Sequence, residues 1–302
     1  MASTKQIKNH IASVQDTRKI TKAMQLIAST KLRKAKEELD KTLPYFNALR
    51  GEVKRIFRSV EGTDSPYLAS VQESADTSGC WGLLVITADK GLAGTYNQNA
   101  LKAAEAFLRR HSDTRLFVVG EYGRQFFKRK GIATEPDFLF SAQSPTIERA
   151  RHMAHSLLRL YDRKELKKIY IVYSNLSKGL DVENRTTRLL PLHKDHFSAP
   201  NFEKEVAEPF EFIPSEEEVL SRVIHSYLSG FIYSALVDSF CCEQSERMRA
   251  MDSATRNADK ILDGLSLQYN HQRQSAITQE ITEISAGARA QKHKEAKEVP
   301  QL

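Results

Sequence analysis

Ser215 to Ala290, SEEEVLSRVIHSYLSGFIYSALVDSFCCEQSERMRAMDSATRNADKILDGLSLQYNHQRQSAITQEITEISAGARA, decides how the rest of the chain is read. Apolar and small residues recur in it at helical spacing: Val223, Tyr227, Phe231 and Ala235, then Met248, Met251, Ala254, Ala258, Ile261 and Leu265. No proline falls between Pro214 and Pro300. The stretch therefore predicts one uninterrupted helix, which at ~1.5 Å of rise per residue extends on the order of 100 Å. A helix of that length outruns any compact domain this chain could build and needs a companion.

The companion lies at the other end of the sequence. From Ser3 to Val60, steps of three and four residues alternate through Ile7, Ile11, Val14, Arg18, Thr21, Gln25, Ala28, Leu32, Ala35, Leu39, Thr42, Phe46, Leu49, Val53, Ile56 and Val60. Roughly twelve of these positions are apolar, the pattern of a coiled-coil seam. Ser3 or Thr4 suits the N-cap. Pro44 lacks a backbone donor and predicts a bend there. The polar seam positions gather around Arg18 to Gln25, where Ile20, Met24 and Ile27 move the apolar surface onto another face, as if for a second partner.

Between the helices the period changes. Gly62 to Gly79 is polar and aperiodic, a loop and domain boundary. Strands follow at Trp81 to Thr87, Arg115 to Gly120, Lys168 to Asn175 and, at an edge closed by Pro191, Thr186 to Leu192. Helices are expected at Asn97 to Arg110, Tyr122 to Lys130 and Pro145 to Tyr161. This alternation implies a small, mostly parallel, Rossmann-like sheet covered on both faces. Lys194 to Pro214 is a polar connector, and Glu216, Glu217 and Glu218 place negative charge in the first turn of the last helix, where the helix dipole favours it. The expected fold is mixed α/β: N- and C-terminal helices in a long antiparallel coiled coil around an inserted α/β domain. Its parts are 1–60, the first coiled-coil helix; 61–209, the inserted domain with its connector; 210–290, the second coiled-coil helix; and 291–302, a polar tail, since Gly287 weakens the helix.

Composition narrows the function. The chain has 302 residues, of which 40% are hydrophobic, with no run apolar enough to cross a membrane, so membrane contact is expected to be peripheral. Three cysteines, two of them adjacent (Cys241 and Cys242), argue against a disulfide framework and for a reducing compartment. The net charge is +7, but it is unevenly spread. About fourteen Lys and Arg face about five acids in the first helix, against about ten and thirteen from Ser215 onward. The two helices are thus electrostatically complementary. The basic stretch Lys31, Arg33, Lys34 and Lys36 carries no aromatic interleaving or nucleic-acid motif, and an acidic protein surface suits it better than DNA or RNA.

Catalytic signals are weak. The turn Ala88 to Asn97 holds Gly91 and Gly94 after a strand, a place where backbone N–H groups cradle phosphate in other folds. It is Gly-x-x-Gly rather than Gly-x-Gly-x-x-Gly, and no Gly-Lys-Ser/Thr occurs. A nucleotide-binding α/β protein with helical arms is the alternative this turn motivates; a plain structural turn explains it more simply. His152 with His155, and His193 with His196, lack a third ligand at zinc spacing. Met248 and Met251 suit seam packing. No cofactor and no catalytic residue is expected.

Three segments resemble the γ subunit of F-type ATP synthases: Lys19-Ile20-Thr21-Lys22-Ala23-Met24, Asp89-Lys90-Gly91-Leu92-Ala93-Gly94, and the run from Tyr269 to Ile284 (YNHQRQSAITQEITEI), joined by Glu243-Gln244-Ser245-Glu246-Arg247-Met248. The resemblance covers about residues 2–290. It implies a non-catalytic rotor shaft inside a ring of three α and three β subunits, with an ε subunit and the membrane c-ring at its foot, one copy per complex. It implies contacts to β-subunit loops from Arg273, Gln274, Thr278 and Glu280, and a lower coupling region at Met24 and Arg247. The expected setting is the cytoplasmic face of a bacterial plasma membrane, or the matrix side of a mitochondrial one. The sequence departs from relatives at Ala93 and Thr95 and at Phe210, Phe212 and Ile213, so c-ring contacts are not carried onto the last three. The cysteine-bearing regulatory insertion of chloroplast relatives is absent.

Overall fold

The computed structural model describes residues 4–59, 67, 79–176, 182–192, 212–213 and 215–295, with backbone alone at 57–59, 216–217 and 290–295. Its elements run α1 (Thr4–Ser59), β1 (Cys80–Ile86), α2 (Tyr96–Arg110), β2 (Thr114–Val119), α3 (Glu121–Arg129), α4 (Ile147–Asp162), β3 (Leu166–Leu176), β4 (Val182–Leu190) and α5 (Glu216–Glu295). This is the mixed α/β architecture read from the periodicity. Most of the polar stretches 62–79 and 194–214 lie outside the described residues.

The chain divides into two compact units, residues 27–250 and residues 1–26 with 251–302. In the larger unit the sheet order is β2-β1-β3-β4, with β1 parallel to both β2 and β3 and β4 antiparallel at the edge. Strand β1 is buried on both faces, which is why it reads as an unbroken apolar run. Leu84 and Ile86 join Phe117, Ile169 and Ile171 under Met153 and Leu157 of α4 and residues of α1 and α5. Leu83 and Val85 turn the other way, to Leu101 and Phe107 of α2 and Phe127 of α3. Tyr67 ties into this unit: its hydroxyl donates to Asp162 Oδ1 at 2.8 Å, and its carbonyl accepts from Leu192 N.

The larger unit also holds α1 against α5. Gly230 makes the close approach possible: a Cβ there would fall 2.4 Å from a ring carbon of Phe46, whose ring packs against Tyr233 at 5.8 Å. Helix α1 runs unbroken through Pro44. Ser215 starts α5 as a cap, its Oγ accepting from Glu218 N at 3.3 Å.

In the smaller unit, three polar pairs set the register of the same two helices. Arg18 Nε donates to Asp259 Oδ1 at 2.5 Å, the hydroxyls of Thr21 and Thr255 lie 2.8 Å apart, and Gln25 Nε2 donates to Asp252 Oδ1 at 3.0 Å. Numbers rise along α1 as they fall along α5, so the pairing is antiparallel. The polar seam positions of the sequence are thus answered by polar residues across the seam, between apolar layers that include Ile7, Met251 and Ala258, all buried. Helix α5 continues past Gly287 to Glu295, further than the tail expected from Gln291; residues 296–302 lie outside the described residues. An isolated Gly costs a helix only about 1 kcal/mol, too little to end one flanked by Ala286, Ala288 and Ala290.

Candidate coupling surfaces

Arg273, Gln274, Thr278 and Glu280 are all exposed on α5, and every described residue from Arg273 to Arg289 is exposed with them. With 3.6 residues per turn, Arg273, Ile277, Glu280 and Ile284 fall along one line of the helix, and Gln274, Thr278 and Ile281 along the next. The four residues singled out in the sequence therefore share a face, interleaved with three exposed isoleucines, of which Ile284 is 72% accessible. The segment is held by local bonds. Thr278 Oγ1 donates to the Gln274 carbonyl at 2.9 Å, Thr282 Oγ1 to the Thr278 carbonyl at 2.7 Å, and Gln279 Nε2 to Glu283 Oε1 at 2.9 Å. Exposed apolar residues in line on a solvated helix form a face suited to docking.

Met24 is half-buried on α1, and Ile20, one turn earlier on the same face and in the same unit, is 60% exposed. Ile20 is thus an exposed apolar residue on the face that the sequence set apart from the seam.

Arg247 stands in different surroundings. Its side chain is only 12% accessible; Nη1 lies 2.5 Å from Glu243 Oε1, one turn back on α5, and Nη2 donates to the Gly91 carbonyl at 3.1 Å. Burial pushes the Glu243 carboxyl up from its ordinary range, and the Arg247 charge opposes that rise. Around this pair the 88–97 turn is bound to α5. Tyr96 is fully buried beside Ser239 and Cys242, and burial holds its phenol well above its ordinary pKa. Gly94, at φ +53°, sits where a Cβ would approach Glu246 Oε2 to 3.0 Å. Arg247 is thus a bolt between α5 and the glycine turn, a part that the reading by resemblance did not give it.

Within the turn, Tyr96 N donates to the Ala93 carbonyl at 3.1 Å. Asn97 Oδ1 accepts from Ala88 N at 2.9 Å. The Asp89 carboxylate accepts from Glu121 N at the start of α3 (3.0 Å), from Ser141 Oγ (2.6 Å) and from the Ala142 and Gln143 amides. Desolvation raises the Asp89 pKa, but these hydrogen bonds outweigh it and hold the carboxyl below its ordinary value. Asp89 thereby ties the turn to the start of α3 and to the 141–143 segment. Among the described residues no three His, Cys, Asp or Glu side chains gather as metal ligands, and no helix is long and apolar enough to cross a membrane.

Sequence reasoning missed Glu243, Tyr96, Asn97 and Asp89 as members of this clamp. The i,i+4 spacing of Glu243 and Arg247 was a signal for the first; nothing local in the sequence pointed to the others, whose partners lie far along the chain.

Comparison with known proteins fits this architecture over its whole length. The family model described as ATP synthase matches residues 3–291. The ATP synthase gamma chain of Caldanaerobacter subterraneus subsp. tengcongensis is 41% identical over 288 residues, 92% of this chain and 96% of that one. That of Acetivibrio thermocellus is 37% identical over 297 residues, 97% of this chain and 100% of that one. Among solved structures, a chain of the Euglena gracilis mitochondrial ATP synthase (OSCP/F1/c-ring) shares the fold at a TM-score of 0.66 with 16% identity, covering 99% of this chain and 97% of its own length. A chain of the Tetrahymena thermophila mitochondrial ATP synthase central stalk/c-ring does so at 0.56 with 22% identity, covering 78% of this chain and 99% of its own. With 97% of its length aligned to one gamma chain and a family model spanning residues 3–291, this chain belongs to the ATP synthase gamma chain family.

Proposed function

We propose that the chain is the central-stalk rotor subunit of an F-type ATP synthase, coupling ion-driven rotation of a c-ring to ATP synthesis or hydrolysis at the α/β catalytic sites, with no chemistry of its own. Near full-length membership in the gamma chain family carries this reading. The related Euglena and Tetrahymena chains come from F1/c-ring and central stalk/c-ring assemblies, which supports α, β and c-ring partners here, with ε beside them. Its place is peripheral, on the cytoplasmic face of a bacterial plasma membrane. The 61–209 segment serves as the foot and the paired helices of 1–60 and 210–290 as the shaft.

A rotor must press on its surroundings in every orientation and adhere in none. The face of Arg273, Gln274, Thr278 and Glu280 suits that demand: two charges and two neutral hydrogen-bonding groups among isoleucines on one exposed helix. Each such contact contributes about 1–3 kcal/mol, small enough to be exchanged at each step. Met24 contributes from α1, beside the exposed Ile20. Arg247 acts through the Gly91 turn, fastening the sheet to the helix that carries the load.

Co-expression with the α and β subunits of the same genome tests the proposal. A stable complex that hydrolyses ATP is expected. In the whole membrane-bound synthase, Arg273→Ala with Gln274→Ala should leave assembly intact and weaken ATP-driven proton pumping relative to hydrolysis. Failure of α and β to co-purify with the chain overturns the reading, and unchanged pumping overturns the role of these two residues.

A further inference from the structure

Helix α4 spends its apolar side on the sheet, where Ala150, Met153, Ala154, Leu157 and Leu158 are buried. Its other side carries Arg151, His155, Arg159 and, at the C-cap, Arg163, each four residues after the last and all exposed. At ~1.5 Å of rise per residue they stand about 6 Å apart in a line, with His152 beside it. Among the described residues, none of these three guanidinium groups makes an ion pair, and neither imidazole makes a hydrogen bond. The acids of the same side stand at its ends: Glu148 in the first turn, and Asp162, which accepts from the Tyr67 hydroxyl. The middle of the helix therefore presents arginines that pair with no carboxylate of the described chain. The first half of the line borders a groove of about 860 Å³ between α1, α4 and α5. Arg151 and His155 form one wall, with Tyr45 of α1 and His225 and Tyr233 of α5 opposite. Among the described residues of the lining the one carboxylate is Glu38, and Lys41 Nζ holds it at 3.0 Å, so that pair leaves Arg151 unmatched. Tyr45 is 63% exposed and offers an aromatic ring there.

We propose that this face docks an acidic segment of a partner protein, with carboxylates along Arg151, His155 and Arg159 and one apolar side chain in the groove beside Tyr45 and Tyr233. Side chains on one face of a helix, four residues apart, or on one face of a strand, two apart, recur every ~6–7 Å, the interval of the cations. Arginine forks suit carboxylates at that spacing, and an aromatic-walled groove suits an apolar anchor. A membrane surface fits less well, because three arginines hold a chain to anionic lipid only weakly and α4 exposes no apolar residue for the bilayer. Nucleic acid also fits less well, since no exposed ring interleaves with the line of cations. None of the contacts assigned to the shaft uses this face, so the inference stands apart from the rotor reading.

The test uses the full chain and a fluorescein-labelled peptide with glutamate at every fourth position, alanine elsewhere and one central leucine, followed by anisotropy at low salt. One saturable site per chain is expected, weakened by added salt. Arg151→Gln with Arg159→Gln should raise the Kd about tenfold, through loss of two charge-assisted contacts. Arg109→Gln with Arg110→Gln removes the same charge from exposed positions of α2, on the other face of the sheet, and should change the Kd by less than about twofold. All four positions are exposed, and an unchanged circular dichroism spectrum checks that both variants fold. Replacing the leucine of the peptide by alanine should weaken binding about fivefold, through loss of the apolar anchor. Absence of saturable binding, equal weakening by the two double variants, or indifference to the leucine overturns the proposal. So does tighter binding of phosphatidylserine vesicles or of a single-stranded oligonucleotide than of the peptide.

Discussion

The Arg247 guanidinium of α5 and the Gly91 carbonyl of the turn after β1 lie 3.1 Å apart. One side chain thereby joins the longest helix to the turn that closes the first strand, and its second nitrogen holds the buried Glu243 carboxylate at 2.5 Å. A buried ion pair adds little net stability relative to an apolar pair but costs much when one half is removed. The pair is therefore better understood as a device that fixes geometry between sheet and helix.

Arg247→Ala should destabilise the chain by about 2–4 kcal/mol, since it leaves Glu243 buried and unpaired. Without its partner, the Glu243 carboxyl, already raised by burial, rises further and takes up a proton in the folded state as pH falls. The deficit should accordingly be full at neutral pH and shrink on acidification. Adding Glu243→Gln should recover most of the loss. Urea unfolding of the three variants at several pH values measures it.

Asp238 offers a test of the opposite sign. It is half-buried on α5, with Arg185 on β4 and the thiols of Cys241 and Cys242 as its titratable neighbours, and desolvation raises its carboxyl from 3.8 to about 6, against the pull of Arg185. A raised acid pKa means that the folded state binds the proton more tightly than the unfolded state, so the ionised carboxylate is a cost above pH ~6 that fades as pH falls toward ~4. Asp238→Asn should stabilise the chain by about 1–2 kcal/mol at pH 8, discounted for partial solvation, and by nothing measurable near pH 3. Thermal unfolding across pH reads both limits.

Arg18 and Asp259 should behave as a register pair rather than a source of stability. Both are about half exposed, so each single alanine substitution should cost about 0.5–1 kcal/mol, with a coupling of similar size in a double-mutant cycle. Reversing both charges, Arg18→Asp with Asp259→Arg, should restore wild-type stability to within that margin.

Gly230→Ala should cost about 1–3 kcal/mol, because the new methyl meets the Phe46 ring at 2.4 Å and one helix must give way. Phe46→Leu in the same chain should relieve part of it. Chemical denaturation of the single and double variants checks both.

Legibility followed the range of each interaction. Period alone gave α1, α5 and the alternation of strands and helices, because an amphipathic face repeats along its own segment. Arg18, Thr21 and Gln25 were visible as polar interruptions of a seam, yet their partners Asp259, Thr255 and Asp252 became known only from the antiparallel register. The exposed face at Arg273 was found through a family motif and would not have been found through chemistry, since nothing in an isolated solvated helix marks it as a contact. Arg247 was singled out by motif without its bolt to Gly91, a bond between residues 156 positions apart. The glycine turn invited a phosphate in the sequence; in the structure Asn97 takes the Ala88 amide and Asp89 reaches across to Glu121 and Ser141, placements that Gly91 and Gly94 could not announce.

The most direct test of the rotor assignment is rotation itself. The chain, carrying a probe in its α/β segment, is assembled with α and β subunits fixed to a surface, and the probe is followed while ATP is supplied. Sustained rotation in one direction, slowed or made irregular by Arg273→Ala with Gln274→Ala, is the predicted result. A complex that hydrolyses ATP while the probe stays still would contradict the account.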